Sequence, residues 1–262
     1  MQNISNYFQP VYMFYPADCA TCVAASMPGK TEEGRSTMAH YVVADIHGEA
    51  DRFYAMLEKI QFSDADTLYI LGDVVDRGPD GIKLLQDIMK RPNMVMLLGN
   101  HEYMMLQYFS PDATSEQIRR WNRNGNAPTK QAYLKLKAKE QKAILEYLRT
   151  LPTHLEVTVN GTNFYLVHGF PAENVHDEVW FRSEIDAPNP KPGYQVIIGH
   201  TKVLSLIKPE EKKIAFAMDL ENRGEHLKIY HGPGFIDIDC GYDMPIKALA
   251  CIRLEDMLEY YQ

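Results

Sequence analysis

Tyr41-Val42-Val43-Ala44-Asp45-Ile46-His47-Gly48 is a short apolar run that stops at a carboxylate, an imidazole and a glycine. Four apolar residues in a row, closed by a polar turn, suit a strand buried on both faces, as in a parallel sheet. Outward from it, Phe53, Met56, Leu57 and Ile60 recur at helical spacing, with Glu49 and Asp51 placed to favour a helix N-terminus. Thr67 to Leu71 predicts a second strand. Pro79, suited to a first helical turn, introduces a predicted helix carrying Ile82, Leu85, Ile88 and Met89. Met94 to Leu98 predicts a third strand. The alternation of strand and helix indicates an α/β fold with a largely parallel sheet and crossover helices.

Residues 103–150 are helical in pattern and rich in Lys and Glu, and they read as a small helical cap or flank. Leu155 to Val159, Asn160-Gly161 and Asn163 to Val167 form a hairpin with a strong turn signal. Strands predicted at Val196–Ile198, Phe235–Asp239 and Ile246–Leu254 complete a second, more antiparallel sheet. Upstream, residues 1–37 show no sustained period and read as an irregular N-terminal extension to a domain spanning 38–262. Met38 opens an ordinary first strand, so it is the expected physiological start.

The chain has 262 residues, 27 basic and 35 acidic, for a formal charge of −8. That balance excludes the basic footprint of a nucleic-acid binder. No stretch approaches the ~18 apolar residues of a membrane span. Four cysteines, Cys19, Cys22, Cys240 and Cys251, are too few for a disulfide scaffold at this length. The first residues lack a basic segment followed by an apolar run, and the cytoplasm is the expected compartment. Cys19-Ala20-Thr21-Cys22 has no second pair and no surrounding βαβ unit, so it reads as neither a zinc site nor a redox pair.

The chemistry is concentrated where strands end. The first ends in Asp45-Ile46-His47-Gly48, the second in Gly72-Asp73-Val74-Val75-Asp76-Arg77-Gly78, and the third in Gly99-Asn100-His101-Glu102. Ligands of open α/β sheets sit beyond the carboxyl ends of the strands, so three such clusters converge on one site. The hairpin's second strand ends in His168-Gly169 and a later strand in Gly199-His200, adding two imidazoles. One histidine after a strand is ordinarily a surface or satisfied core residue. Five strand ends that each carry a donor beside glycine are not an ordinary pattern. Oxygen and imidazole donors without thiolate suit Mn²⁺, Fe or Zn²⁺ in a reactive rather than a structural site. A pair of such ions ~3.5–4 Å apart binds a phosphoryl group and generates a nucleophile.

DIHG, GDVVDRG, GNHE, HG and GHT, in that order, resemble the phosphoprotein phosphatase (PPP) family of calcineurin-like metallophosphoesterases, in particular its bacterial and bacteriophage-type serine/threonine protein phosphatase branch. The similarity runs from about Tyr41 to Leu254. It implies a sandwich of two mixed β-sheets flanked by helices, with the small helical cap. It also implies two divalent ions, Mn²⁺ foremost with Fe or Zn²⁺ as alternatives. Asp45 and His47 would hold the first ion, Asp73 would bridge, and Asn100, His168 and His200 would hold the second. His101 resembles the general acid, Asp76 the carboxylate that orients it, and Arg77 a phosphate clamp. Trp180-Phe181-Arg182 is similar to the branch's Trp-x-Arg segment, which makes Arg182 a second clamp.

The implied reaction is direct attack of a metal-bridging hydroxide on a phosphate monoester, with phosphoserine or phosphothreonine in proteins as the expected substrate. A hydrolase of dinucleoside polyphosphates uses the same motifs and is the alternative. An inactive phosphate-binding module is a remote one, disfavoured because ligands and acid are all present. Partners are thus a phosphoprotein or a small phosphorylated substrate, with no nucleic acid and no membrane. Trp121-Asn122-Arg123-Asn124-Gly125 also looks like the branch's Trp…Asn-Gly segment, and Cys240 reads as a packing residue near the site. Ala44 stands where the family usually has Gly, and Phe170 where a small residue is frequent, with the expectation that Phe170 reshapes the pocket.

Overall fold

The computed structural model describes residues 38–241, 246 and 248–262. The predicted N-terminal extension, the start at Met38 and the Cys19/Cys22 pair therefore fall on or border residues outside that description. The chain runs β1 (His40–Val43), α1 (Ala50–Lys59), β2 (Thr67–Ile70), α2 (Gly81–Ile88), β3 (Met94–Met96). Four helices follow, α3 (Asn100–Tyr108), α4 (Ser115–Arg123), α5 (Ala127–Leu134) and α6 (Ala138–Thr150). Then come β4 (His154–Val159), β5 (Thr162–Val167), α7 (Val175–Trp180), β6 (Gln195–Ile198), α8 (Val203–Ile207) and α9 (Glu210–Asn222). β7 (Tyr230–His231), β8 (Ile236–Asp237), β9 (Ala250–Arg253) and β10 (Leu258–Tyr261) close the chain.

β1 is the central strand of the first sheet, ordered β10-β9-β1-β2-β3, and its apolar run is buried on both faces as the sequence requires. Tyr41 and Val43 face a core shared with Phe53, Met56, Ile82, Leu85 and Met104 of the helices. Val42, between them, faces a second core with Phe164, Leu166 and Ile197 of the other sheet. That alternation makes the molecule a sandwich, since each fully buried aliphatic side chain stabilises by about 1.5–3 kcal/mol and both faces must be covered. The second sheet is ordered β4-β5-β6-β8-β7. Its hairpin turns through Asn160 (φ 48°) and Gly161 (φ 79°), both left-handed as a two-residue type I′ turn demands.

Three expectations change. The Ile246–Leu254 segment does not complete the second sheet. Its strand, β9, pairs antiparallel with β1, Val42 opposite Ile252, and β10, which was not anticipated, pairs with β9. The first sheet is thus mixed like the second, as the family resemblance implied, and not the largely parallel sheet that the strand–helix alternation indicated: β1–β2 and β2–β3 are parallel, the two outer pairings antiparallel. The physical reason is that a run buried on both faces advertises burial and not its neighbour. Finally, Pro79 lies ahead of the N-cap Asp80 rather than inside α2. Among the described residues no helix is long and apolar enough to cross a membrane.

Candidate metal centre

β1, β2 and β3 run parallel in one sheet, and β5, β6 and β8 run parallel in the other. Their carboxyl ends meet at one seam. Asp45 and His47 follow β1, Asp73 follows β2, Asn100 opens α3 after β3, His168 follows β5 and His200 follows β6. All six are buried.

The backbone there is held in an unusual state. Asp45, His47, Asp73, Asp76, Arg77 and His200 all have positive φ, between 47° and 70°. For residues with a Cβ this costs about 1–2 kcal/mol each and persists only where surroundings enforce it. The enforcement is visible: His47 N–H donates to Asp73 O (2.8 Å), Gly48 N–H to Val74 O (2.8 Å) and Gly78 N–H to His47 O (2.9 Å). The turns after β1 and β2 therefore fix each other. Gly48 and Gly78 are obligatory at that contact, because a Cβ on Gly48 would sit 2.6 Å from Gly78 O.

The donors gather around Asp73. His47 Nε2 lies 3.6 Å and His101 Nε2 3.8 Å from Asp73 Oδ2, while His168 Nε2 lies 3.4 Å from Oδ1. Two groups able to hold a cation result, His47/Asp73/His101 and Asp73/His168/His200, with Asp73 common to both. Asn100 Oδ1 is 3.0 Å from His168 Nε2, and Asp45 Oδ1 is 3.9 Å from His47 Nε2. The structure thus brings all six predicted ligands together, and adds His101 to the His47 group by distance. The ring faces that do not point inward are anchored. His47 Nδ1 meets Val75 O (3.2 Å) and His168 Nδ1 meets Leu71 O (2.7 Å), which turns each Nε2 toward Asp73.

His101 is bound at both nitrogens. Nδ1 is 2.7 Å from Asp76 Oδ2 and Nε2 is 3.2 Å from Arg77 Nη2. A guanidinium only donates, so the imidazole in this arrangement carries its proton on Nδ1, facing Asp76. Arg182 Nη1 donates to His200 O at 2.8 Å, which sets its guanidinium beside the His168/His200 half of the cluster.

The electrostatics ask for cations. Burial, backed by Asp239 and Asp73, pushes the Asp45 carboxyl well above its ordinary range. Burial lowers His47, His168 and His200, so these imidazoles stay neutral and ready to ligate. For Asp73 burial is outweighed by His168, His101 and His47, which hold it below the usual carboxylate range. His101 goes the other way: burial would lower it, yet Asp73 and Asp76 keep it above the ordinary imidazole value. Buried carboxylates, neutral imidazoles and one amide oxygen form a donor set that fits divalent ions of the Mn²⁺, Fe or Zn²⁺ type.

Other side chains matter that the sequence reading did not single out. Glu102 is fully buried and accepts four backbone N–H groups, those of Asp73 (2.8 Å), Val74 (2.9 Å), Val75 (3.1 Å) and Gly99 (3.1 Å). Its last bond is the return half of a capping box, for which Glu at the third helical position is the available signal. Asp237 and Asp239, at the end of β8, are buried and raised above the ordinary range, Asp237 by burial and then Asp239, and Asp239 chiefly by burial. Asp239 shares a cavity of about 20 Å³ with Asp45. Phe170 packs its ring edge-on against Phe235 in a third apolar cluster of the second sheet. Cys240 is buried in the core between the sheets, and burial pushes its thiol up.

The chain matches the calcineurin-like phosphoesterase family over residues 38–236 and belongs to it. It is 29% identical over 167 residues to a symmetrical bis(5′-nucleosyl)-tetraphosphatase of Wigglesworthia glossinidia brevipalpis, covering 55% of this chain and 61% of that protein. A protein of the same description from Delftia acidovorans is 34% identical over 134 residues, covering 50% of this chain and 44% of its own length. The match therefore spans less than two thirds of either relative. Among solved structures, a candidate diadenosine tetraphosphatase superposes with a TM-score of 0.52 at 19% identity, over 86% of this chain and 93% of the other. A protein serine/threonine phosphatase from Saccharomyces cerevisiae gives 0.52 at 13% identity, over 83% and 72%. At those identities the likeness is one of fold.

Proposed function

We propose that this chain is a two-metal phosphohydrolase whose substrate is a dinucleoside polyphosphate, cleaved symmetrically. The observation that carries the hydrolase reading is the pair of donor groups sharing Asp73. The choice of substrate is supported by the sequence relatives, which are symmetrical bis(5′-nucleosyl)-tetraphosphatases. This reverses the order expected from sequence, where a phosphoprotein came first.

Asp45 and His47 would hold one ion, Asn100, His168 and His200 the other, and Asp73 would serve both. Bound there, the ions would supply an activated water and neutralise charge on the phosphoryl oxygens. The chain's own groups do the rest. Arg77 and Arg182, planar forks suited to two oxygens each, clamp the phosphoryl group. Drawing Arg77 onto phosphate takes its donor away from His101 Nε2, and that nitrogen can then carry a proton toward the leaving oxygen. Asp76 keeps the opposite nitrogen in place.

The test is a side-by-side assay with Mn²⁺ of diadenosine tetraphosphate and a phosphoserine peptide. The expected result is ADP as the sole nucleotide product, with kcat/KM at least about 100-fold above the peptide, a 2.7 kcal/mol preference. A preference for the peptide overturns the substrate assignment, and no metal-dependent hydrolysis of either overturns the hydrolase reading.

A further inference from the structure

Asp76 is a buried carboxylate held almost entirely through one oxygen. Oδ2 is 2.7 Å from His101 Nδ1 and accepts the indole N–H of Trp121 at 2.6 Å. Oδ1 is buried and meets no hydrogen-bond partner among the described residues. Two donors on one oxygen fix both the position and the plane of the carboxylate. A single donor would leave it free to rotate about its terminal torsion, which has broad, soft wells.

The backbone around it is gripped from the same side. Asp76 N–H donates to Thr129 Oγ1 at 2.7 Å, and Arg77 N–H to Gly125 O at 2.9 Å. Trp121, Gly125 and Thr129 belong to α4, α5 and the turn between them. These contacts hold Asp76 (φ 70°) and Arg77 (φ 68°) in successive left-handed conformations. The indole itself cannot swing away. It is fully buried, with the rings of Tyr108 and Phe109 at 4.8 and 5.7 Å.

We propose that Trp121 is a positioning residue for proton transfer: its indole N–H fixes the Asp76 carboxylate and thereby aims the His101 imidazole at the leaving oxygen. Trp121 is fully buried and belongs to neither donor group. This rests on the reading of His101 as general acid. From the doubly protonated imidazole, the proton on Nε2 goes to the oxygen of the breaking P–O bond as water adds to phosphorus. The proton that water gives up passes to solvent, from which Nε2 is reprotonated, and Nδ1–H stays hydrogen-bonded to Asp76 Oδ2. An acid matters most where the leaving oxygen is strongly basic, so loss of aim affects poor leaving groups and spares good ones.

The test compares Trp121→Phe with the full Mn²⁺-loaded chain on phenyl phosphate and 2,4-dinitrophenyl phosphate. The expected result is a fall in kcat for the phenyl ester of about 10–100-fold, a part of the 10²–10⁴ a general acid supplies. The dinitrophenyl ester should change less than about 3-fold, with KM and bound manganese unaltered. Equal losses on both esters, loss of metal, or no loss on either overturns the proposal. His101→Asn, run in parallel, separates the two readings: if it shows no dependence on the leaving group, the general-acid assignment fails and not the Trp121 contact. A second measurement needs no folded Trp121 variant. The chain has two tryptophans, so ¹⁵N-indole labelling gives two signals, and His101→Asn should move the one from Trp121 downfield as it becomes the sole donor to Oδ2. An unmoved signal overturns the shared contact.

Discussion

Glu102 accepts the backbone N–H of Asp73, its Oε2 2.8 Å from that nitrogen, and so a residue in neither donor group dictates where the carboxylate common to both stands. The same carboxylate reaches Val74, Val75 and Gly99, joining the turn after β2 to the turn after β3. Asp73 completes the exchange by accepting His101 N–H at 3.0 Å through Oδ1, where a helix N-terminus favours a negative group.

Glu102→Gln tests this clamp. The amide keeps the shape but turns one acceptor into a donor, which then faces backbone N–H groups. An unsatisfied buried group costs about 1–3 kcal/mol, so urea denaturation should show a loss of that size. Bound manganese should fall with it, since Asp73 loses its fixed position. Unchanged stability together with unchanged metal content would contradict the clamp.

Gly199→Ala tests the seam between the sheets. A Cβ there would collide with Asp45 Oδ2 and stand 2.8 Å from the Ala44 methyl. That oxygen also accepts His200 N–H at 3.0 Å, so the added methyl disturbs ligands of both halves at once. Titration with Mn²⁺ should show affinity weakened by about 10–100-fold, the scale seen when a ligand's support is lost. Wild-type affinity would show that Asp45 is not a ligand.

The pH dependence of metal binding follows from which groups are protonated beforehand. Burial keeps His47, His168 and His200 neutral, so they have few protons to give up. Asp45, raised above the ordinary value of about 4, holds a proton that an ion must displace. Manganese affinity should therefore strengthen as pH rises above that value, with proton release on binding. Calorimetry in buffers of different ionisation enthalpy measures both, and Asp45→Asn should flatten the dependence. A pH-independent affinity in the parent chain would count against this account.

Much of the centre was legible because strand ends next to glycine are local features: Asp45 after Val43, Asp73 after Leu71 and His200 after Gly199 announce themselves. The left-handed backbone that Asp45, His47, Asp73 and His200 themselves adopt was not legible, because nothing in those residue types calls for it. What stayed hidden was pairing at a distance. Ile246–Leu254 reads as a buried strand, but only the structure sets Ile252 beside Val42. Glu102 reads as an ordinary helix-start glutamate, and its four N–H partners lie up to 29 residues away. Trp121 reads equally as the apolar side of a helix, and only its bond to Asp76 connects it with the acid.

The contact between His200 and Asp45 spans 155 residues of chain. During synthesis the donors from β1 to α3 emerge early, whereas His168 and His200 arrive only after the four-helix segment and the hairpin have left the ribosome. Closing so long a loop is slow and is rewarded only at the end. A nascent chain thus holds an incomplete set of the candidate donors through most of its translation, and an ion that needs both halves would load only after both sheets have arrived.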